Sequence, residues 1–283
     1  MSLYKIPSPV RLKAGVRETL MEKLVYVAPG ISRVEFENAE EAKPLIVVEY
    51  HGEMEENLLR GKISDTVRSF ARGFIDVEKE ILFDRRDVRP INDLPVYEKM
   101  IEAGWIHCYE TGRVLLSGPA KRLFDFFDAR FAAMGERYGA VSDKYPVLIG
   151  VDTLKKADYF SSFPHHITLA SHLVEDVEKI QAFSDKAQEG IVDFEPLEKN
   201  TGHICSPAVC FHLYQALENR VLDKVVCRTA VGPCFRYESV NMATLERLWD
   251  FSMRDIIFVG PSDEVDVLRQ SAMDPVMELV DQL

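Results

Sequence analysis

The stretch Gly232-Pro-Cys-Phe-Arg-Tyr-Glu-Ser239, followed after a loop by Phe251-Ser-Met-Arg-Asp-Ile-Ile-Phe-Val-Gly260, reads as two strands at hairpin distance. Alternate residues of a strand share a face, so Cys234, Arg236 and Glu238 point one way while Phe235 and Tyr237 point the other. One face is therefore polar and could hold a ligand. An arginine offers a planar fork suited to a phosphate, and a carboxylate two residues on can accept from an amine or from adenine. On the return strand, Met253 to Val259, the residues Met253, Asp255, Ile257 and Val259 share one side, and Arg254, Ile256 and Phe258 the other. Asp255 is thus an acid set in an apolar run. Residue types alone also allow a plainer reading, an amphipathic hairpin carrying a surface Arg and Glu pair.

The rest of the chain bounds what such a hairpin could serve. Its 283 residues, 47% hydrophobic and 28% charged, are enough for one large or two ordinary globular domains. No run approaches the ~18 apolar residues of a membrane span, and Met1 to Gly15 has no apolar core of the signal-peptide kind. The expectation is a cytoplasmic protein with no membrane partner. The cysteines, Cys108, Cys205, Cys210, Cys227 and Cys234, form no C-x-x-C pair and are odd in number, which argues against a disulfide framework. A net charge of −12 repels nucleic acid on average and argues against tRNA as a partner. Basic residues do gather at Arg113, Lys121, Arg122, Arg130 and Arg137, but the last four share their helix with several acids and read as a solvated face.

Along the chain, residues 1–90 read as a small α/β domain. Gly15 to Tyr26 and Glu55 to Phe74 are helix-like, and Ser32 to Glu37 and Leu45 to His51 are strand-like. Asp84 to Pro95, charged and carrying prolines at 90 and 95, reads as the linker to a second domain over residues 91–283. There Val96 to Ala103 is a short helix that Gly104 can end, and Trp105 to Tyr109 follows as a strand. A longer helix runs from Ala120 to Tyr138, with Leu123, Phe126, Phe127, Phe131 and Met134 in a stripe that reads as core or dimer contact.

From Val96 onward the order of segments resembles the amino acid:carrier protein ligases and the related atypical zinc-dependent seryl-tRNA synthetases, both of class II aminoacyl-tRNA synthetase fold. Four stretches carry the likeness. Ala120 to Tyr138, leading through a short strand to Pro146, resembles motif 1, the dimer-forming segment. Asp158-Tyr-Phe-Ser-Ser-Phe-Pro-His-His166 resembles a family segment with a tyrosine and a Ser-Phe-Pro. Ser206-Pro-Ala-Val-Cys-Phe-His-Leu-Tyr214 resembles the stretch around the first zinc cysteine, and Cys234 to Gly260 resembles motif 2. The resemblance implies an α/β (α+β) fold with an antiparallel class II synthetase-like sheet flanked by helices. It implies ATP with Mg as cofactors, Arg236 and Arg247 holding phosphates, and Glu238 contacting the adenine side. Arg236 and Glu238 are thereby the candidate catalytic residues. Cys210 and Asp255 match zinc ligands, Asp255 standing where the family has a glutamate. A homodimer is implied as well.

Two features depart from the family pattern. Residues 262–283 read as the helix after motif 2, with Ser262 as its cap, so the core is expected to lack motif 3 and the third zinc cysteine. Two zinc donors fall short of the four of a structural site or the three plus water of a catalytic one. Little zinc is therefore expected unless His212 or Cys234 completes the set. His165, His166 and His172 carry no ligand spacing of their own. Two functions remain open. One is activation of a small amino acid as its adenylate, with transfer to the phosphopantetheine thiol of a carrier protein. The other is a catalytically silent relative that binds a ligand or serves as a partner subunit.

Overall fold

Every second residue of Leu45-Ile-Val-Val-Glu-Tyr50 is buried, the pattern of a strand with one face on a core. In the computed structural model, which describes residues 2–74, 81, 83–85, 87–88, 94–190, 192, 194, 198–238, 242 and 244–282, this run is β3. It lies between β1 (Ser2–Pro7) and β2 (Ile31–Glu37), antiparallel to both. Two helices, α1 (Ala14–Leu24) and α2 (Glu56–Gly73), supply the rest of the core. Leu59, Ile63 and Val67 recur every four residues and so fall on one face of α2. With Leu20, Leu24, Ile46 and Val48 they are wholly shielded from solvent.

The chain divides into two compact units at Leu94 and Pro95. Part of the expected linker 84–95 lies outside the described residues. The second unit continues with α3 (Val96–Glu102), a hairpin of β4 (Ile106–Glu110) and β5 (Arg113–Leu116), and the long helix α4 (Gly118–Arg137). Then come β6 (Val141–Asp143), β7 (Leu148–Gly150), α5 (Val151–Lys156), α6 (Tyr159–Ser162), β8 (Leu169–Leu173), α7 (Val177–Gln188) and β9 (Glu198–Cys205). It closes with α8 (Cys210–Ala216), β10 (Val226–Phe235), β11 (Asp250–Val259) and α9 (Ser262–Asp281). β9 pairs antiparallel with β7 and β8 in one sheet. The other sheet, β11-β10-β6, contains the expected hairpin.

β10 and β11 pair antiparallel from Val226 against Val259 to Phe235 against Asp250, and β6 pairs parallel along the other edge of β10. The parallel edge departs from an all-antiparallel sheet, and it is possible because a long connection separates β6 from β10. β10 starts earlier than expected and ends at Phe235. Arg236 N–H nonetheless donates to Trp249 O at 3.0 Å, so the pairing runs one residue further.

α4 packs on this hairpin, and α9 packs on β11 and α4. Close approach of helix to sheet needs a small residue, and Gly135 supplies it: a Cβ there would lie 3.3 Å from the Thr229 Cβ. The helix is locked by a fork. Arg254 Nη2 donates to Asp128 Oδ2 at 2.9 Å, Nε donates to Oδ1, and Nη1 reaches Thr229 Oγ1 at 3.2 Å. The Arg254 hydrogen bond holds the Asp128 carboxyl below its ordinary range. Tyr138 OH donates to Ser271 O at 2.8 Å and ties the end of α4 to α9. Of the expected apolar stripe on α4, Met134 is buried, Phe127 and Phe131 are half-buried, and Leu123 and Phe126 are exposed. Among the described residues no helix is long and apolar enough to cross a membrane.

Both ends of the fork are shielded, with side-chain exposures of 13% for Arg254 and 29% for Asp128. Asp128→Asn should therefore cost about 1.5–3 kcal/mol of stability near neutrality, the range for hydrogen bonds to charged groups. A carboxyl with a lowered folded pKa stabilises above its unfolded value, ~3.9, and loses that contribution as pH falls through the folded value. Urea denaturation at a series of pH values should thus show wild type and Asp128→Asn converging below pH ~4. A gap that is independent of pH would show that the pair is not ionised.

Candidate functional site

Arg236 follows β10 directly, and two contacts fix its guanidinium. Nε donates to Pro207 O at 2.9 Å, and the group lies 5.5 Å from the centre of the Phe251 ring on β11. Among the described residues its two terminal nitrogens have no protein partner, so the broad edge of the fork can meet an anion. Two residues on, Glu238 accepts from Arg247 Nη1. Arg236, Glu238 and Arg247 line one cavity of about 830 Å3. Its other wall is apolar and comes from Leu115 on β5 and Phe124 on α4, with Lys121 beside them. The hairpin turn that carries β5 is seated by Gly112, which has φ +76 and whose O accepts from Trp249 N–H at 2.9 Å. A Cβ at Gly112 would sit 2.9 Å from Trp249 N, too close for any other residue.

The cavity thus has a polar side from the hairpin and an apolar side from α4 and β5. Phosphates and a flat heterocycle are the chemistry such a pair of walls accepts. The Arg247–Glu238 contact neutralises the acid until a ligand competes for either group. His166, whose O accepts from Tyr237 N–H at 3.2 Å, lies in the same field. Burial, then His165, pushes its imidazole down, and Glu238 opposes them.

On the same face lies a cluster of partly and fully buried groups. Asp255 pairs across the sheet with Ala230, on the face shared with Cys234 and Arg236. Burial pushes its carboxyl above the ordinary range, against the opposing influence of Cys210 and the charge of Arg236. Burial likewise raises the Cys210 thiol, then Asp255 does, while Tyr214 opposes them. Cys234 is fully buried, and its thiol is pushed up to about 12, first by burial. His212 stacks on Tyr145 with ring centres 5.5 Å apart. Cys210 and Asp255 therefore lie close enough for each to shift the other's titration. Among the described residues no three His, Cys, Asp or Glu side chains converge to hold a metal, so this donor set does not fit zinc by itself.

Arg236, Glu238, Arg247, Cys210 and Asp255 thus occupy one neighbourhood, the first three lining the cavity and the last two close to Arg236. Lys121, expected on a solvated helix face, lines the cavity instead, beside Phe124. No local pattern could have revealed this, because it depends on how α4 is rotated against the sheet.

No family model matches the chain. Two curated proteins are similar in sequence, both type-2 serine–tRNA ligases. The Methanothermobacter thermautotrophicus protein is 23% identical over 202 residues, covering 66% of this chain and 38% of its own length. The Methanopyrus kandleri protein is 19% identical over 221 residues, covering 73% of this chain and 42% of its own length. The chain therefore spans well under half the length of the curated relatives it matches. Among solved structures, the complex of A. aeolicus tRNASec with M. kandleri SerRS matches 99% of this chain and 55% of that chain, with a TM-score of 0.68 and 17% identity. Giardia lamblia prolyl-tRNA synthetase in complex with prolyl-adenylate matches 64% of this chain and 34% of that chain, with a TM-score of 0.50 and 15% identity. The chain is related in sequence to type-2 serine–tRNA ligases and has a mixed α/β fold of the class II aminoacyl-tRNA synthetase type.

These relatives overturn the argument from net charge against tRNA as a partner. Both curated relatives are named as tRNA ligases, and the M. kandleri structure is a tRNA complex. Net charge averages over the whole surface, whereas nucleic acid responds to the local field of one face. Neither curated relative is named for a carrier protein.

The placement of the thiols makes a prediction. Under native conditions at neutral pH a soluble alkylating reagent should modify exposed Cys108 first and leave Cys234, which is 0% exposed, untouched until the protein unfolds. Timed alkylation with peptide mapping checks the order. Early labelling of Cys234 would contradict its place in the sheet.

Proposed function

We propose that this chain binds ATP and a small amino acid and activates the amino acid as its adenylate. One observation carries the reading: Arg236, Glu238 and Arg247, each in a motif 2-like hairpin, converge on a single cavity with the guanidinium of Arg236 already positioned. In this reading Arg236 holds the α-phosphate through its terminal nitrogens, Arg247 leaves Glu238 to reach the distal phosphates, and Glu238 turns to the adenine. Adenylation gains rate when fixed positive groups face charge that builds on the phosphates, since such groups need no reorganisation during the reaction. Magnesium, bound with the nucleotide, would neutralise phosphate charge. Serine is the amino acid named for both curated relatives, and tRNA is the acceptor their names suggest. A second copy of the chain would pack on the apolar residues that α4 leaves exposed, Leu123 and Phe126.

The Arg247–Glu238 pair supports a second reading. If the pair stays closed over bound ligand, the chain holds nucleotide without turning it over, as a silent relative or partner subunit would. Calorimetry should show ATP binding to wild type that weakens in Arg236→Ala by about 1.5–3 kcal/mol, the loss of a charge-assisted hydrogen bond. Amino acid-dependent exchange of pyrophosphate into ATP separates the readings. Exchange supports the enzyme, binding without exchange supports the silent relative, and no binding at millimolar ATP sinks both. Light scattering at micromolar concentration should find a dimer that Leu123→Asp combined with Phe126→Asp dissociates, and a monomeric wild type would remove that part of the proposal.

A further inference from the structure

Tyr159 opens α6 immediately after Asp158, whose φ of +54 turns the chain inward. Its ring is held by Phe163 at 5.5 Å and, edge-on, by Phe211 at 5.7 Å, in an apolar cluster with Ile149, Leu154 and Ile204. The residue is 7% exposed, and its hydroxyl has no hydrogen-bond partner among the described residues. Native proteins pair nearly all buried polar atoms. A shielded hydroxyl left without a partner among the described residues is therefore placed for a ligand.

Its surroundings say what that partner is. The groups whose charge is felt at the hydroxyl are Arg236, Glu238 and Cys234, the inner face of the hairpin. The segment that carries Tyr159 is tied to the same hairpin, through Tyr237 N–H to His166 O at 3.2 Å and Trp249 Nε1–H to Thr168 Oγ1 at 2.8 Å. Burial pushes the phenol up, so near neutrality it remains an O–H that can donate and accept. Arg236 disfavours a cation there and Glu238 an anion, and the apolar walls disfavour any full charge. A neutral polar group fits.

We propose that the Tyr159 hydroxyl hydrogen-bonds the side-chain hydroxyl of the bound amino acid and so acts as a specificity-determining residue that separates serine-like from alanine-like substrates. This rests on the amino acid-binding reading above. A site built to hydrogen-bond a substrate hydroxyl leaves its own group unpaired when the hydroxyl is missing, and it rejects the analogue for that reason.

The test is calorimetric titration of L-serine and L-alanine into the full chain, wild type and Tyr159→Phe, with ATP binding measured on both. Wild type should bind L-serine up to roughly tenfold more tightly than L-alanine, the upper end of the worth of one neutral hydrogen bond. Tyr159→Phe should lose that preference by binding serine more weakly while alanine and ATP are unaffected. Because the ligand-free hydroxyl has no partner among the described residues, the variant should also melt at or above the wild-type temperature without ligand. Unchanged serine affinity, an equal loss for both amino acids, or a lower ligand-free melting temperature would each overturn the role of Tyr159 and leave the wider reading standing. A wild type that binds ATP but neither amino acid would overturn that reading, and this inference with it.

Discussion

The antiparallel pairing of β10 with β11 is the constraint on which the candidate site depends. Because strand side chains alternate, this register puts Asp255 opposite Ala230 and Phe251 opposite Cys234, all on one face, with Arg236 continuing that face past the strand end. A slip of one residue would send Arg254 into the site and turn Asp255 toward α4. The register is held from behind. On the opposite face Arg254 grips Asp128 of α4, so the helix that completes the cavity wall is fastened by a residue from the strand that carries Asp255.

Small residues make the resulting space possible. Ala230 and Gly232 stand on the site face of β10 beside Asp255 and Cys234. A Cβ added at Gly232 would meet Val209 at an ordinary 3.7 Å. Gly135 brings α4 down on the other face, and Gly112 lets the β4–β5 turn close on Trp249. Compact backbone contacts around the hairpin thus frame a cavity of about 830 Å3.

Electrostatically the site is divided in two. Toward the cavity lie Arg236 and the Arg247–Glu238 pair, where charge is compensated or open to a ligand. Asp255, Cys210 and Cys234, close to Arg236, lie where burial favours protonated forms. An anion is welcome at the cavity and disfavoured among these groups. The Tyr159 hydroxyl, without a partner among the described residues, is a neutral group in the field of Arg236, Glu238 and Cys234.

The sequence by itself determined the elements whose signal is local. Alternation marked β3 and β11, four-residue spacing marked α2, and the Arg236–Glu238 spacing marked a polar strand face, because each is a property of a few consecutive residues. What only the tertiary structure decided is what distant segments do to one another. The stripe on α4 reads as core or dimer contact, and only the fold separates its members: Met134 is buried while Leu123 and Phe126 are exposed, since burial depends on which side of the helix meets the sheet. The parallel placement of β6, the Lys121 and Phe124 wall, and the burial of the Tyr159 hydroxyl share that origin. Each arises from contacts between residues far apart in the chain, and no periodicity encodes such contacts because their geometry follows from packing. Net charge misled for a related reason: it sums over a surface whose arrangement only the fold creates.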